Sequence, residues 1–329
     1  TGAIAGTTGK FNITAGTGTS SITTGAGDDT FTFAAGTGLT SADTVDGGTG
    51  TDTVALTGNT VFTASNDFDN VKNIEVITLG NTNTAVAITT VDALVASGAT
   101  LTLTNAANSG ALTFIGSAET DGVFNITGGT GNDSITGGTG ADSISGGIGA
   151  DTLIGGTSND SITGGEGIDI ISSGMGADTI TLTETTAVAD IIVFGNNSTV
   201  TGGTDIAFGA LGGVDTITGF SATDNLRFDI SAFSLAGGTE NVGAVSTLAT
   251  NSSDEIAVLT GTGYASDEAA ENAIAAQVIT DGQDVVFVYF NTADNTAHIV
   301  HDTDAGVDGA GTTTLIGTIT NLTTQGSVD

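Results

Sequence analysis

The chain of 329 residues contains no cysteine, no proline and no tryptophan. Without cysteine there is neither a disulfide to staple the fold nor a thiol for catalysis, so stability in an oxidising compartment must come from elsewhere. Basic residues are almost as scarce. Lys plus Arg number 3 against 37 Asp plus Glu, a formal charge of −34. That balance excludes a nucleic-acid partner, because neutralising phosphate takes cations this chain lacks. Lys10, Lys72 and Arg227 are also the only sites for trypsin-like cleavage. No run of about 18 apolar residues exists, so no helical membrane span is expected, and no N-terminal signal peptide is found. The chain starts Thr-Gly rather than Met, as a processed or truncated product would. High charge with few aromatics often signals disorder. Here 38% of residues are hydrophobic and the β-branched ones are placed periodically, so order conditional on a ligand is expected instead.

What the chain has in excess is glycine, 52 residues, and its placement is strict. Gly128–Thr181 is six nine-residue units: GGTGNDSIT, GGTGADSIS, GGIGADTLI, GGTSNDSIT, GGEGIDIIS and SGMGADTIT. Asp recurs at Asp133, Asp142, Asp151, Asp160, Asp169 and Asp178, and a large aliphatic follows two residues later each time. A phase-locked period of nine marks a parallel β-helix built of short coils. The aliphatic and its Ser/Thr flanks form a strand of three, alternation sending the aliphatic inward. The glycine half must then turn sharply, through conformations glycine reaches most easily. Two units complete one coil, so turns on one side stack about 4.8 Å apart and their carboxylates form a column. Adjacent carboxylates at that spacing repel by roughly 1–3 kcal/mol per pair. The six aspartates, with turn oxygens around Gly129, Gly131, Asn132, Gly138, Gly140, Gly147 and Gly149, make a hard oxygen cage suited to Ca2+. Metal binding then becomes folding free energy, and the segment is expected to unfold without it.

On these residues the segment resembles the RTX (repeats-in-toxin) β-roll of bacterial proteins exported by type I secretion. The resemblance implies several Ca2+ ions, each held between one turn and the next on the same side, and a secreted, cell-surface location with the secretion signal at the C-terminus. Ser158 replaces the third glycine of its unit and Ser173 the first of another, so weaker calcium binding is expected there.

Weaker copies precede the array. GTTGKFNIT, AGTGTSSIT and TGAGDDTFT span 6–32, with Ile13, Ile22 and Phe31 inward and Asp29 in the ligand position; GLTSADTVD and GGTGTDTVA add Asp43 and Asp52 over Val45 and Val54. Residues 56–127 lose the metal pattern but keep short β runs, with Val91–Ala96 a candidate helical turn. The unit ETDGVFNIT at 119–127 lacks the aspartate and reads as a cap on the array. Beyond Thr181 the phase breaks. Residues 213–230 resemble the segment that closes RTX β-rolls, its Asp215, Asp224 and Asp229 capping strand ends or holding an ion. Ser266 is a helix N-cap, and Asp284–Phe290 and Ala297–Asp302 form a hairpin. Asp302, Asp304 and Asp308 then sit at the first, third and seventh places of a loop that could also take calcium, although Thr313 stands where an EF-hand has its glutamate.

The fold expected is all-β: a right-handed parallel β-helix or RTX β-roll with a C-terminal β-rich unit carrying one short helix. Five segments are expected: a degenerate RTX-like solenoid (1–55), a calcium-poor β-helix (56–127), the calcium β-roll (128–181), its closing segment (182–230) and a C-terminal cap and secretion unit (231–329). Catalytic signatures are missing. No H-E-x-x-H or G-x-S-x-G is present, and His298 and His301 are three apart on a strand, a spacing that suits structural roles better than a zinc pair. No enzyme is therefore expected. The leading expectation is a calcium-dependent structural protein of the bacterial surface whose partner is itself, in an S-layer, matrix sheet or filament. The alternatives are an adhesin with a cell-surface glycan partner, or the secretion tail of a larger RTX exoprotein.

Overall fold

The computed structural model describes residues 2–3, 8–34, 38–57, 67–80, 84–106, 108–194, 213–221, 223–228, 240–242, 256–266, 269–270, 285–302 and 313–320. The chain divides into two compact units, Thr1–Glu166 and Gly167–Asp329, a coarser division than the five segments of the sequence reading.

The first unit is a parallel β-solenoid. One sheet runs Asn12–Thr14, Thr30–Ala34, Thr53–Thr57, Val76–Leu79, Thr100–Thr104, Val123–Gly129, Ser143–Ile148 and Ser161–Glu166, every pairing parallel. The chain visits a second layer between these strands. There Gly2–Ala3, Ser21–Thr23, Thr44–Asp46 and Val71–Lys72 pair in one sheet, and Val86–Thr89, Leu112–Ile115, Ser134–Thr136 and Thr152–Thr157 in another. Two nonapeptides do make one coil. Ile126 lies opposite Ile144, and Ile144 opposite Ile162, while Ile135 lies opposite Leu153 in the other layer. All five are buried, as alternation requires of the middle residue of a three-residue strand. Wider strands add aromatics to the same core: Phe31 and Phe33, then Phe114 packed edge-on against Phe124 with ring centres 5.0 Å apart. Val91–Ala96 is a turn rather than a helix, closed by Leu94 N donating to Val91 O at 3.0 Å, and it inserts Leu94 and Val95 into the interior.

The second unit starts with the same architecture and then leaves it. Ile170–Met175, Ile191–Phe194 and Asn225–Phe228 pair in parallel, as do Thr179–Thr181, Asp215–Thr218 and Thr313–Thr320. Thr296–Asp302 and Val285–Asn291 then pair antiparallel, giving the hairpin that the sequence indicated. Ser266 caps a helix start, its hydroxyl accepting from Ala269 N at 3.2 Å; the chain just beyond Ala270 lies outside the described residues. His298 and His301 are both buried. Tyr289 OH lies 3.3 Å from His298 Nδ1, and Asp294 Oδ2 lies 2.8 Å from its Nε2, so this ring spans the hairpin as a structural link.

Candidate metal centre

Each nonapeptide turn places its aspartate at the start of the following strand, with the side chain folded under the turn and buried. Asp133, Asp142, Asp151 and Asp160 are at most 3% exposed in the first unit, and Asp169 and Asp178 at most 1% in the second. Residue spacing in the sequence indicated the columns but not what joins their members. In the first four, one oxygen of the carboxylate accepts a backbone N–H from the coil before. Asp151 Oδ1 takes Asp133 N at 2.7 Å, Asp160 Oδ1 takes Asp142 N at 2.7 Å, and Asp133 and Asp142 take Leu112 N and Phe124 N. The aspartates are thus rungs of a side-chain ladder, which leaves Oδ2 to face the turn.

The space that Oδ2 faces is defined by the first glycine of each unit. A Cβ on Gly128 would come closer than 3.0 Å to Asp133 Oδ2 and to the carbonyl oxygen of Gly146, the corresponding glycine one coil on. The same two partners recur at Gly137 (Asp142 Oδ2, Gly155 O) and at Gly146 (Asp151 Oδ2, Gly164 O). In the weaker N-terminal copy, Gly47 meets Asp52 Oδ2 and Asn73 O. One carboxylate and one carbonyl oxygen from successive turns therefore converge on a space too small for a methyl group. That donor set suits a hard cation bridging two turns. Gly147 and Gly149 lie at φ 111° and 141°, and a Cβ on either would strike the backbone of the preceding turn at Gly129 and Gly131. Gly138 and Gly140 stack likewise on Glu119, Gly116 and Gly122.

Electrostatics favour the same ligand. Among the described residues, Asp29, Asp52, Asp133 and Asp190 each keep Oδ2 buried with no hydrogen-bond donor on it. A buried anionic oxygen without a partner is costly. Burial accordingly pushes the carboxyls of Asp52, Asp142 and Asp151 up to about 6, and those of Asp133 and Asp190 up to about 7. A cation in the turns removes that penalty by replacing the proton.

The predicted residues are not equivalent. Asp29 and Asp52 continue the ladder, with Asp29 Oδ1 accepting Phe11 N at 2.7 Å and Asp52 Oδ1 accepting Asp29 N at 2.8 Å. Asp43 differs. Its Oδ1 takes Ser20 N and its Oδ2 takes both the amide and the hydroxyl of Thr40 at 2.8 Å, so protein donors already occupy both oxygens. Asn132 Oδ1 accepts Ala150 N at 3.1 Å, tying neighbouring turns together. The two serine substitutions carry their own contacts. Ser158 holds the left-handed backbone of the glycine it replaces, φ 79°, and donates to Thr139 O at 2.8 Å. Ser173, at a first-glycine position, donates through Oγ to Asp215 Oδ2 at 3.0 Å. Asp302 ends its strand; its side chain, with Asp304, Asp308 and Asp229, lies outside the described residues.

Further ladder members lie outside the nine-residue phase; among them Asp215 and Asp224 were expected as strand caps or ion ligands, and Asp215 Oδ1 takes Asp178 N at 3.0 Å. Glu75 Oε2 takes Asp52 N at 2.7 Å, Asp190 Oδ1 takes Asp169 N at 2.9 Å, and Asp224 Oδ1 takes Asp190 N at 3.1 Å. Their separations along the chain are 23, 21 and 34 residues, so no nine-residue phase could find them. Asp224 Oδ2 also accepts Ser221 N at 2.7 Å, the strand-end capping geometry of Asp43 repeated.

No helix among the described residues is long and apolar enough to cross a membrane. Comparison with curated proteins finds none that matches the chain. The RTX calcium-binding nonapeptide repeat family matches it in four copies, at residues 12–40, 37–54, 125–153 and 145–180. These stretches hold the Asp29, Asp52 and Asp133–Asp178 ladders and the glycine turns that cradle Oδ2. By sequence match and geometry together, the chain carries RTX calcium-binding nonapeptide repeats, whose turns bind Ca2+ at several sites.

Proposed function

We propose that the chain is a calcium-dependent structural protein of the bacterial cell surface, secreted and self-assembling into an S-layer, matrix sheet or filament, with no catalytic role. In this reading Asp133, Asp142, Asp151, Asp160, Asp169 and Asp178 hold Ca2+ through Oδ2, helped by carbonyls of the turns containing Gly129, Gly131, Gly138, Gly140, Gly147 and Gly149. Asp29 and Asp52 do the same in the N-terminal copy, while Asp43 caps its turn. Bound calcium supplies the charge compensation that lets these side chains stay buried as anions. The observation that carries the reading is the repeated pairing of a buried Asp Oδ2 with a carbonyl of the next turn around each first glycine. Bodies of formal charge −34 repel one another. Calcium would therefore have a second task, bridging acidic faces of neighbouring copies. Electron microscopy of the purified chain with calcium and with a chelator tests this directly. Ordered sheets or filaments that form on calcium addition and disperse on chelation are expected. A calcium-loaded chain that stays monomeric at high concentration would overturn assembly while leaving calcium binding standing.

A further inference from the structure

Outside the nonapeptide array, three carboxylates meet between consecutive turns of the first unit. Asp92 stands in the turn after Val86–Thr89, and Glu119 and Asp121 in the turn after Leu112–Ile115. One oxygen from each lies within 4.8 Å of the other two. The turns are already joined: Gly98 N donates to Asp121 O at 2.8 Å, and Thr120 donates through both its amide and its hydroxyl to Asp92 Oδ1. Three oxygens that close surround a point no more than about 2.8 Å from each, so a small side-chain adjustment brings all three to Ca–O contact at about 2.4 Å.

Glu119 is what sets this cluster apart from an exposed acidic patch. Its residue is 0% exposed, and its Oε1 accepts the amides of Asp121 and Gly122 at 3.3 and 3.1 Å. Its Oε2 is buried and receives no hydrogen bond; the Val95 amide favours the charge from nearby without bonding that oxygen. Burial raises the Glu119 pKa and the charge of Asp92 raises it further, the signature of an anion lacking its counter-ion. The two lysines do not supply one: Lys10 pairs with Asp28 and Lys72 with Asp46.

We propose that Asp92, Glu119 and Asp121 bind one Ca2+ at a site made of side chains, clipping the turn at 90–99 to the turn at 116–122. The site is not a copy of the nonapeptide one, since Phe124 stands where the unit's aspartate would be. Its position gives it a use. The 116–122 turn is the platform on which the array turn at 137–142 stacks, with Thr139 Oγ1 donating to Thr120 O at 2.6 Å. An ion here fixes that platform before the first coil of the array is laid on it. The inference stands whether or not the chain assembles.

Counting bound calcium by equilibrium dialysis of the full chain against CaCl2 tests it, using the parent, D92N/D121N and E119Q. The exposed pair can be changed without opening the core, and Asn at 92 keeps the Oδ1 that Thr120 needs. D92N/D121N is expected to bind one ion fewer per chain at a calcium concentration that just saturates the parent, with unchanged far-ultraviolet circular dichroism. E119Q is expected to lose the same ion. A parental count in D92N/D121N overturns the assignment, whatever E119Q does.

Discussion

Two stretches of the first unit share their strands and differ in their turns. Residues 125–166 and 71–115 feed the same parallel architecture and bury the same kind of aliphatic: Ile144 and Ile162 in one, Ile77 and Leu101 in the other. In the first, successive ladder residues are 18 apart; leading into the second, Asp29, Asp52 and Glu75 follow at 23. The extra residues fill the turn with protein. Leu94 and Val95 plug one, and in another the buried amides of Asn105 and Asn108 bond each other at 2.7 Å, with Asn105 also reaching Gly110 O. An 18-residue coil has no residues to spare for this. Its turn interior holds a carboxylate and carbonyls, a donor set that a cation completes; at Asp142 the Gly138 amide also reaches Oδ2, at 2.9 Å. The core sets the solenoid, whereas coil length decides whether metal or side chains close its edges.

Calcium removal is the strongest way to break that comparison. Chelation at pH 8 should unfold residues 125–166 while 71–115 retains more of its order. Hydrogen exchange followed by mass spectrometry reads this out. Amide protection in the array should fall by about a hundredfold or more, a loss of roughly 3 kcal/mol of local opening free energy, and the calcium-poor stretch should lose distinctly less. Equal loss in both would mean that turn filling does not set their stability.

A single methyl group probes the same cradle. Gly137→Ala puts a Cβ against Asp142 Oδ2 and the Gly155 carbonyl, and a backbone carbonyl held in a sheet edge cannot step aside. We expect a cost of about 2–3 kcal/mol in calcium. Gly16→Ala in the degenerate N-terminal copy meets nothing within 4 Å and should change stability by no more than about 0.5 kcal/mol. Calcium-dependent thermal unfolding of the two variants separates a metal cradle from a generic glycine turn.

Proton competition gives the third test, and its sign differs between the two ligation states. Without calcium the folded array holds protons on Asp133 up to about 7 and on Asp142 and Asp151 up to about 6, whereas unfolded aspartates release theirs near about 3.9. Across roughly pH 4 to 7 the folded state binds more protons, so stability of the calcium-free array falls as pH rises through that window. With calcium the trend reverses, since the ion must displace those protons and binds more tightly as pH rises. Circular dichroism in chelator should therefore show more β-structure at pH 5 than at pH 8. The calcium midpoint should rise about tenfold or more per pH unit below 6.

How far the residues alone reach depends on whether a feature is periodic. The inward aliphatics, the paired layers and the aspartate columns follow from the nine-residue phase, and the hairpin from its alternation. The side-chain ladder does not, because Asp151 reaching Asp133 N is a distance across stacked turns with no sign in either residue's neighbours. Asp190 was passed over as a ligand because its position is out of phase with the array, whereas Asp224 was expected to cap a strand end or hold an ion, and it accepts Ser221 N in a cap. Asp92 and Glu119 have no common motif at all; only the stacking of two unlike turns brings them together. Asp43 was the reverse case. Thr40 three residues before it is a local capping pattern, legible beforehand and outweighed by the phase.

Ser158 offers the smallest and finest test, because it puts a side-chain donor at a position where five of the six array units have glycine. Its left-handed backbone costs roughly 1–2 kcal/mol in a residue with a Cβ. Its hydroxyl bond to Thr139 O returns about 1 kcal/mol and occupies a carbonyl facing the turn. In Ser158→Gly the two contributions nearly cancel, so stability in chelator should move by less than about 1 kcal/mol. Thr139 O then keeps only the long bond from Thr157 Oγ1 at 3.4 Å and is more open to a cation, so the calcium midpoint should fall several-fold. A titration by calorimetry distinguishes the outcomes: a midpoint unchanged from the parent would show that this carbonyl takes no part in ligation, and that the serine is a turn substitution tolerated for its hydrogen bond alone.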